Sequence, residues 1–211
     1  MDTGIDTTAL FDFDGTITRH DSFPAFLTHL CGGNRLRMLS AMVPYLPSAL
    51  MAKFGLTDAG KAKERILRRF MSPLSRERLD EAFSSFAQVI EDDVNPEVMA
   101  RIGFHLNAGH RVCIVSASPA QWIAPWASMH GIDHIIATGL RFGPDGHMDG
   151  FSTPNCNGDE KTARIKAFIG SADSRLVVGY GDSSGDYPML RMCRTAYMVD
   201  RHGHISRWHG R

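Results

Sequence analysis

A chain of 211 residues with 43% hydrophobic content is long enough for one sizeable buried core, or for a core with a modest insertion. Its 23 basic and 23 acidic residues cancel to a formal charge of zero, which excludes a whole-molecule field directed at nucleic acid and leaves only local electrostatic specialisation. The four cysteines, Cys31, Cys113, Cys156 and Cys193, form no C-x-x-C pair, which disfavours a zinc ribbon and a disulfide framework; the acidic N-terminus lacks the basic start and apolar run of a secretion signal, so a cytoplasmic protein is expected.

Residues 8–13, TALFDF, read as a buried strand that carries Asp12 and leads straight to Asp14. From Asp21 to about Glu91 the period turns helical. Phe23, Phe26, Leu27 and Leu30 share one face, and Leu79, Phe83, Phe86 and Ile90 recur at steps of four, three and four. Within this block, MLSAMVPYLPSALMA at 38–52 has no charge, yet it is shorter than the roughly 20 residues a spanning helix needs. It also contains Pro44 and Pro47, so no transmembrane segment is expected.

Next comes a helix that Asn95 caps and Pro96 opens, with Gly109 just past its end. RVCIVS at 111–116 is a buried strand, and SPAQWIAPWASMHG is a helix leading to the strand HIIAT at 134–138. Trp122 and Trp126 sit at helical spacing and read as core. LRFGPDGHMDG predicts a hairpin turning at residues 144–146. KTARIKAFI is a helix, RLVVGYG at 175–181 a strand, and TAYMVD at 195–200 the last strand before a short hairpin around Gly203. Strands alternating with helices imply an α/β architecture, a mainly parallel sheet covered on both faces, with residues 18–90 inserted after the first strand.

In open α/β sheets ligands sit at the carboxyl ends of the strands. That rule selects three places: Asp12 to Thr16, Ser116 to Ser118, and Gly181 to Asp186. Asp12 and Asp14 are two apart, so on an extended chain they project to the same side. Adjacent carboxylates repel unless a cation lies between them or one holds a proton. With Asp182 and Asp186 they make an oxygen-rich site suited to Mg²⁺; a solvated acidic turn is the alternative. Ser116 ends a strand where hydroxyl and N–H groups favour an anion, or where the hydroxyl serves as a helix cap. Lys161, behind the loop-like run NCNGDE, is placed to give a point positive charge to a phosphoryl oxygen, or to lie on the surface.

These pieces together resemble the haloacid dehalogenase superfamily in its phosphatase branch. D-x-D-G-T stands at Asp12 to Thr16, a serine after a buried strand at Ser116, a lysine at Lys161, and G-D-S-x-x-D at Gly181 to Asp186. The helical block resembles the cap of the phosphoserine-phosphatase-like subfamily IB. The resemblance implies a three-layer Rossmann-like core at 1–17 and 91–211, with a helical cap at 18–90. It implies a Mg²⁺-dependent hydrolase of a small phosphate ester. Asp12 is then the nucleophile, Asp14 the acid and base, and Asp12, Asp14 and Asp182 the metal ligands. Gly15, Ser116, Ala117 and Lys161 hold phosphate, with Thr16, Ser183 and Asp186 in support and Asp21 meeting the substrate. The sequence departs from phosphoserine phosphatases at Gly15, Ala117-Ser118 and Gly185, which leaves the ester itself open.

Residues 61–78 hold seven basic and two acidic residues. They read as a solvated helix face, or as Arg65, Arg68 or Arg69 turned to an anionic substrate, or as a patch that joins 38–52 against anionic lipid in peripheral membrane contact. Phosphatidylglycerophosphate phosphatases of the same subfamily give the lipid version a substrate. His202, His204 and His209 read as surface histidines of the last hairpin, with metal binding as the alternative. A rival reading remains: Gly181-Asp182-Ser183-Ser184-Gly185 fits the G-x-S-x-G elbow of a serine esterase with Ser183 as nucleophile.

Overall fold

The computed structural model describes residues 7–53, 57–170 and 176–210. The acidic start of the chain and Arg175, the predicted first residue of the strand 175–181, lie outside the described residues. The buried run TALFD forms β1 (Thr8–Asp12), which pairs in parallel on both sides, with β2 (Arg111–Pro119) and with β6 (Val177–Gly181). β3 (His134–Thr138) and β7 (Thr195–Val199) extend the sheet outward, and β8 (Ile205–Arg207) closes one edge antiparallel, giving the order β3-β2-β1-β6-β7-β8. Register sets Asp12 opposite Val115 and Phe11 opposite Tyr180, so the ends of β1 and β6 finish level with one another while β2 runs on past them.

The period-two alternation of β1 feeds two separate cores. Leu10, with Cys113 and Val115, packs under Ile165 of α8 (Gly158–Ile169) and Met189 and Leu190 of α9 (Tyr187–Leu190). Ala9 and Phe11 face the other way, toward α6 (Pro96–Asn107) and α7 (Ala120–Met129). The result is the α/β fold with helices on both faces that the alternation of elements predicts. Asn95 caps α6 by accepting from the Glu97 N–H at 3.0 Å, with Pro96 in the first turn. The second sheet is the hairpin of β4 (Leu140–Phe142) and β5 (Met148–Phe151), and β7 and β8 form the predicted final hairpin around Gly203.

Between β1 and β2 lie α1 (Ser22–Leu30), α2 (Arg35–Met42), a 3₁₀ turn (Val43–Tyr45), α3 (Leu46–Lys53), α4 (Ala59–Met71) and α5 (Arg76–Glu91). Pro44 opens the 3₁₀ turn and Pro47 falls in the first turn of α3, positions where a missing N–H costs no helical bond. Among the described residues no helix is long and apolar enough to cross a membrane.

The insertion shares its core with the sheet. α5 packs along α7, and Phe26 of α1 stacks on Trp122 of α7 at 4.5 Å while meeting Phe86 of α5 edge-on at 5.0 Å. Trp122 and Trp126 are fully buried, as their spacing predicts. We therefore expect Phe26→Ala to cost about 3–5 kcal/mol, the usual loss for a buried phenylalanine. Urea denaturation checks this; a loss under about 1 kcal/mol would show that the aromatic cluster does not tie the insertion to the sheet.

Candidate active site

The level strand ends place one cluster of carboxylates around one lysine. Lys161, in the first turns of α8, is buried, and its Nζ donates to Asp12 Oδ1 and to Asp186 Oδ1, each at 2.7 Å. Asp186 is fixed by its other oxygen as well. Its Oδ2 accepts from the Asp182 N–H at 3.3 Å, the Ser183 N–H at 3.2 Å and the Ser183 hydroxyl at 3.1 Å. Burial works against the Lys161 charge, but Asp12 and Asp186 outweigh it and hold the ammonium above its usual pKa. Burial likewise opposes the Asp186 charge, and the Lys161 ammonium reverses it, leaving that carboxyl below its usual value.

Asp12 keeps less compensation. Burial, with Asp186 close by, raises its carboxyl well above the ordinary range despite Lys161. Asp182 is pushed up to about 6 by burial and by Asp186 beside it. Among the described residues, Asp12, Asp182 and Asp186 are the one group of three or more metal-ligating side chains, with donor oxygens within 4.8 Å of one another. With all three ionised, three carboxylates against one ammonium would leave two net negative charges in a largely buried place, and burial with their mutual repulsion resists that state. All the donors are hard oxygens, which fits a divalent cation of the Mg²⁺ type.

Asp14 sits across the same cavity on a separate set of donors. Its Oδ1 accepts from the Ser22 N–H at 2.7 Å, and its Oδ2 from the Ser118 hydroxyl at 2.7 Å and the Ser116 hydroxyl at 3.3 Å. Ser116 is buried and also accepts from the Ser118 N–H at 2.9 Å. Strand β2 runs on to Pro119, three residues past the predicted end. A register shift against β3 between Ser116 and Pro119 marks the kind of irregularity that re-aims side chains beside a site.

The cavity holds about 240 Å³ and is lined by Asp12, Asp14, Ala117, Lys161, Asp182 and Asp186 of the predicted set. Asp21 and Ser183 also reach it, Asp21 from the N-cap of α1, where its Oδ1 accepts from the Phe23 N–H at 2.8 Å. Thr16 is buried beneath the loop, and its Oγ1 is the buried side-chain oxygen without a partner among the described residues. Gly15 turns the chain at φ +85°, and Gly181 approaches so closely that a Cβ there would stand 2.6 Å from Asp186 Cβ.

Arg65 and Arg68 do not reach the cavity. α4 buries Gly60, Ala62, Ile66, Leu67 and Met71, which turns both arginines to solvent. The lysine that does arrive is Lys63, whose Nζ donates to the Ala117 carbonyl at 3.0 Å; burial pulls its pKa down while Asp14 and Asp21 resist. Lys63 stands three residues before Ile66 and four before Leu67, so the phase of the apolar stripe carried the signal. Ser118 and Asn157 are further lining residues outside the predicted set. Ser118 falls within the strand-end place that the sequence singles out, Ser116 to Ser118, without being named there as a site residue.

The elbow reading fails on geometry. The Ser183 hydroxyl is spent on Asp186, and no histidine is among the described residues lining this cavity. His204 instead holds Glu97 Oε1 at 2.8 Å on the last hairpin, away from the carboxylate cluster.

A profile of the haloacid dehalogenase-like hydrolase family matches residues 9–191. Protein CicA of Caulobacter vibrioides is 35% identical over 182 residues, covering 85% of this chain and 80% of its own. A histidinol-phosphatase of Neisseria meningitidis serogroup C is 26% identical over 212 residues, covering 87% and 86%. A substrate-bound phosphoserine phosphatase superposes with a TM-score of 0.62 at 15% identity, covering 90% of this chain and 84% of its own, so the fold is shared.

Gly15 gives a direct test of how tightly the loop is built. A Cβ at that position would lie 2.5 Å from Asp182 Oδ2, on a backbone that L residues rarely adopt. Gly15→Ala should lower stability by about 1–3 kcal/mol, read from the urea midpoint. An unchanged midpoint would show that the Gly15 loop and Asp182 relax freely around the added methyl group.

Proposed function

The chain belongs to the haloacid dehalogenase-like hydrolases, and from that premise we propose that it is a divalent-cation-dependent phosphomonoesterase working through an aspartyl phosphate on Asp12. The observation that carries the reading is the Lys161 bridge between Asp12 and Asp186, facing Asp14 across one small cavity. Lys161 takes Asp12 Oδ1, so Oδ2 is the oxygen that attacks phosphorus. The new O–P bond forms as the bond to the leaving oxygen breaks, which divides one hard displacement into two.

Asp14 is the proton carrier in this scheme. It gives a proton to the leaving alkoxide and takes one back from the water that attacks the aspartyl phosphate, releasing inorganic phosphate and restoring Asp12. Ser22, Ser116 and Ser118 hold its carboxyl in place for both halves. Lys161 and the Ala117 segment spread charge over the phosphoryl oxygens, since such transfer is catalysed chiefly by positioning and electrostatics. The Asp12 carboxylate, the Asp14 carbonyl and Asp182 would hold Mg²⁺, which would supply the positive charge that lets two anions meet.

Residues 18–90 act in this reading as a cap over a core made of 1–17 and 91–211, because the insertion brings Asp21 and Lys63 to the cavity rim. One anionic and one cationic group beside a volume of about 240 Å³ suit a small phosphate ester that bears an amine. The two named phosphatases among the similar proteins, for histidinol phosphate and phosphoserine, accord with that class. The four cysteines are unpaired, in keeping with a reducing cytoplasm.

A panel of phosphomonoesters assayed with Mg²⁺ and with EDTA tests the proposal. Turnover should need the metal and fall on the order of a thousandfold in Asp12→Asn. Phosphatase activity that survives both changes would overturn it. Lys63→Ala should raise KM roughly tenfold for the preferred ester with little change in kcat, the pattern of lost ground-state binding. A fall in kcat alone would move Lys63 from substrate binding into the chemistry.

A further inference from the structure

The segment α2 to α3 is apolar on two faces, and only one of them is covered. Met38, Met42 and Tyr45 pack against the core. Leu36, Leu39, Val43, Leu46 and Leu50 recur at steps of three, four, three and four and stand out in water, from 54% exposed at Leu39 to 78% at Leu36, with Met51 beside them. Soluble chains rarely leave such a contiguous apolar row uncovered, and a helical segment that is apolar all round belongs in a core or against lipid.

Within the ridge itself the charges are of one sign, although Asp21 and Asp93 line the hollow beside Arg35 and Met38. No Asp or Glu occurs between Asp21 and Asp58, while Arg35 and Arg37 are exposed at the start of α2. α4, which packs against α3, carries the exposed Arg65, Arg68 and Arg69 together with the half-buried Glu64, and the exposed Asp58 caps it. A ridge with apolar knobs, exposed arginines and no carboxylate of its own complements an anionic partner. A second copy of the same ridge would set cation against cation with no carboxylate in the ridge to pair them. A helical partner is disfavoured too. The apolar row lasts about two heptads, where a coiled-coil seam needs three to four, and it is broken at its centre by the 3₁₀ turn.

We propose that the α2–α3 ridge lies in the interface of an anionic membrane, apolar knobs among the acyl chains and arginines at the headgroups. The helices are too short to span, so the contact is peripheral.

Co-sedimentation of the full chain with vesicles of phosphatidylcholine, alone or with about a third phosphatidylglycerol, tests this independently of any enzymatic activity. The protein should pellet with the anionic vesicles only, and less so in high salt. Leu39→Asp with Leu46→Asp should weaken binding on the order of a hundredfold, about tenfold for each leucine withdrawn from lipid. Arg35→Glu with Arg37→Glu should weaken it by roughly tenfold or more. Both double variants alter exposed residues, and circular dichroism melting should match the wild type. Four results would overturn the proposal: no pelleting with anionic vesicles, equal pelleting with neutral ones, pelleting unchanged in the leucine variant, or a wild-type dimer that the leucine variant dissolves.

Discussion

The Lys161 ammonium is the fixed point of this molecule. Placing three carboxylates within 4.8 Å at the end of a buried strand is unfavourable, and removing one partner of a buried ion pair typically costs about 3–5 kcal/mol. Lys161 offsets part of that by taking one oxygen from Asp12 and one from Asp186. The remaining negative charge is what a divalent cation would offset before an anionic phosphoryl group could approach. The sheet exists at this point to make the bridge geometrically necessary: parallel register sets the ends of β1 and β6 level, and α8 descends beside them with its lysine aimed inward. A flexible loop bearing the same residues would relax until the carboxylates separated.

Much of this was legible because strand period and strand-end position are local properties. Asp12 and Asp14 could be read from TALFDFDG, and Gly15 and Gly181 mark places where a Cβ would strike Asp182 and Asp186. What failed was helical phase in α4. Lys61, Lys63, Arg65, Arg68 and Arg69 crowd one helix, and choosing among them requires knowing which face the core takes. Ile66, Leu67 and Met71 settle it, turning Lys63 toward Ala117 and the arginines to water. The continuation of β2 past Ser116 was hidden for another reason: the bulge that re-aims Ser118 depends on pairing with β3, a partner some twenty residues away.

The insertion is tied to the proposed chemistry by backbone as well as by packing. The N–H of Ser22, the first residue of α1, holds Asp14 Oδ1, and its hydroxyl donates to Ser118 while accepting from Trp122 Nε1. The proposed proton carrier is thus gripped at once by the insertion, by β2 and, through Trp122, by the aromatic cluster that joins α1 to α7. A displacement of α1 cannot leave Asp14 where it is. Substrate entry that shifts the insertion would therefore alter the acid and base along with the pocket wall.

That coupling gives the outer surface of the insertion a place in the same physical scheme. α1 and α4 present Asp21 and Lys63 inward, while α2 and α3, packed on α1 and α4 respectively, present apolar side chains outward. Whatever covers the outer ridge bears on the elements that carry the inner charges, because α1 also carries the Ser22 N–H. Burying five or six large apolar side chains at about 1.5–3 kcal/mol each is far more than the about 1–3 kcal/mol that couples two sites in a typical allosteric protein. If the proposed membrane contact distinguished two positions of α1, a small part of that binding energy would be enough to shift Asp14, because the Ser22 N–H holds its carboxylate.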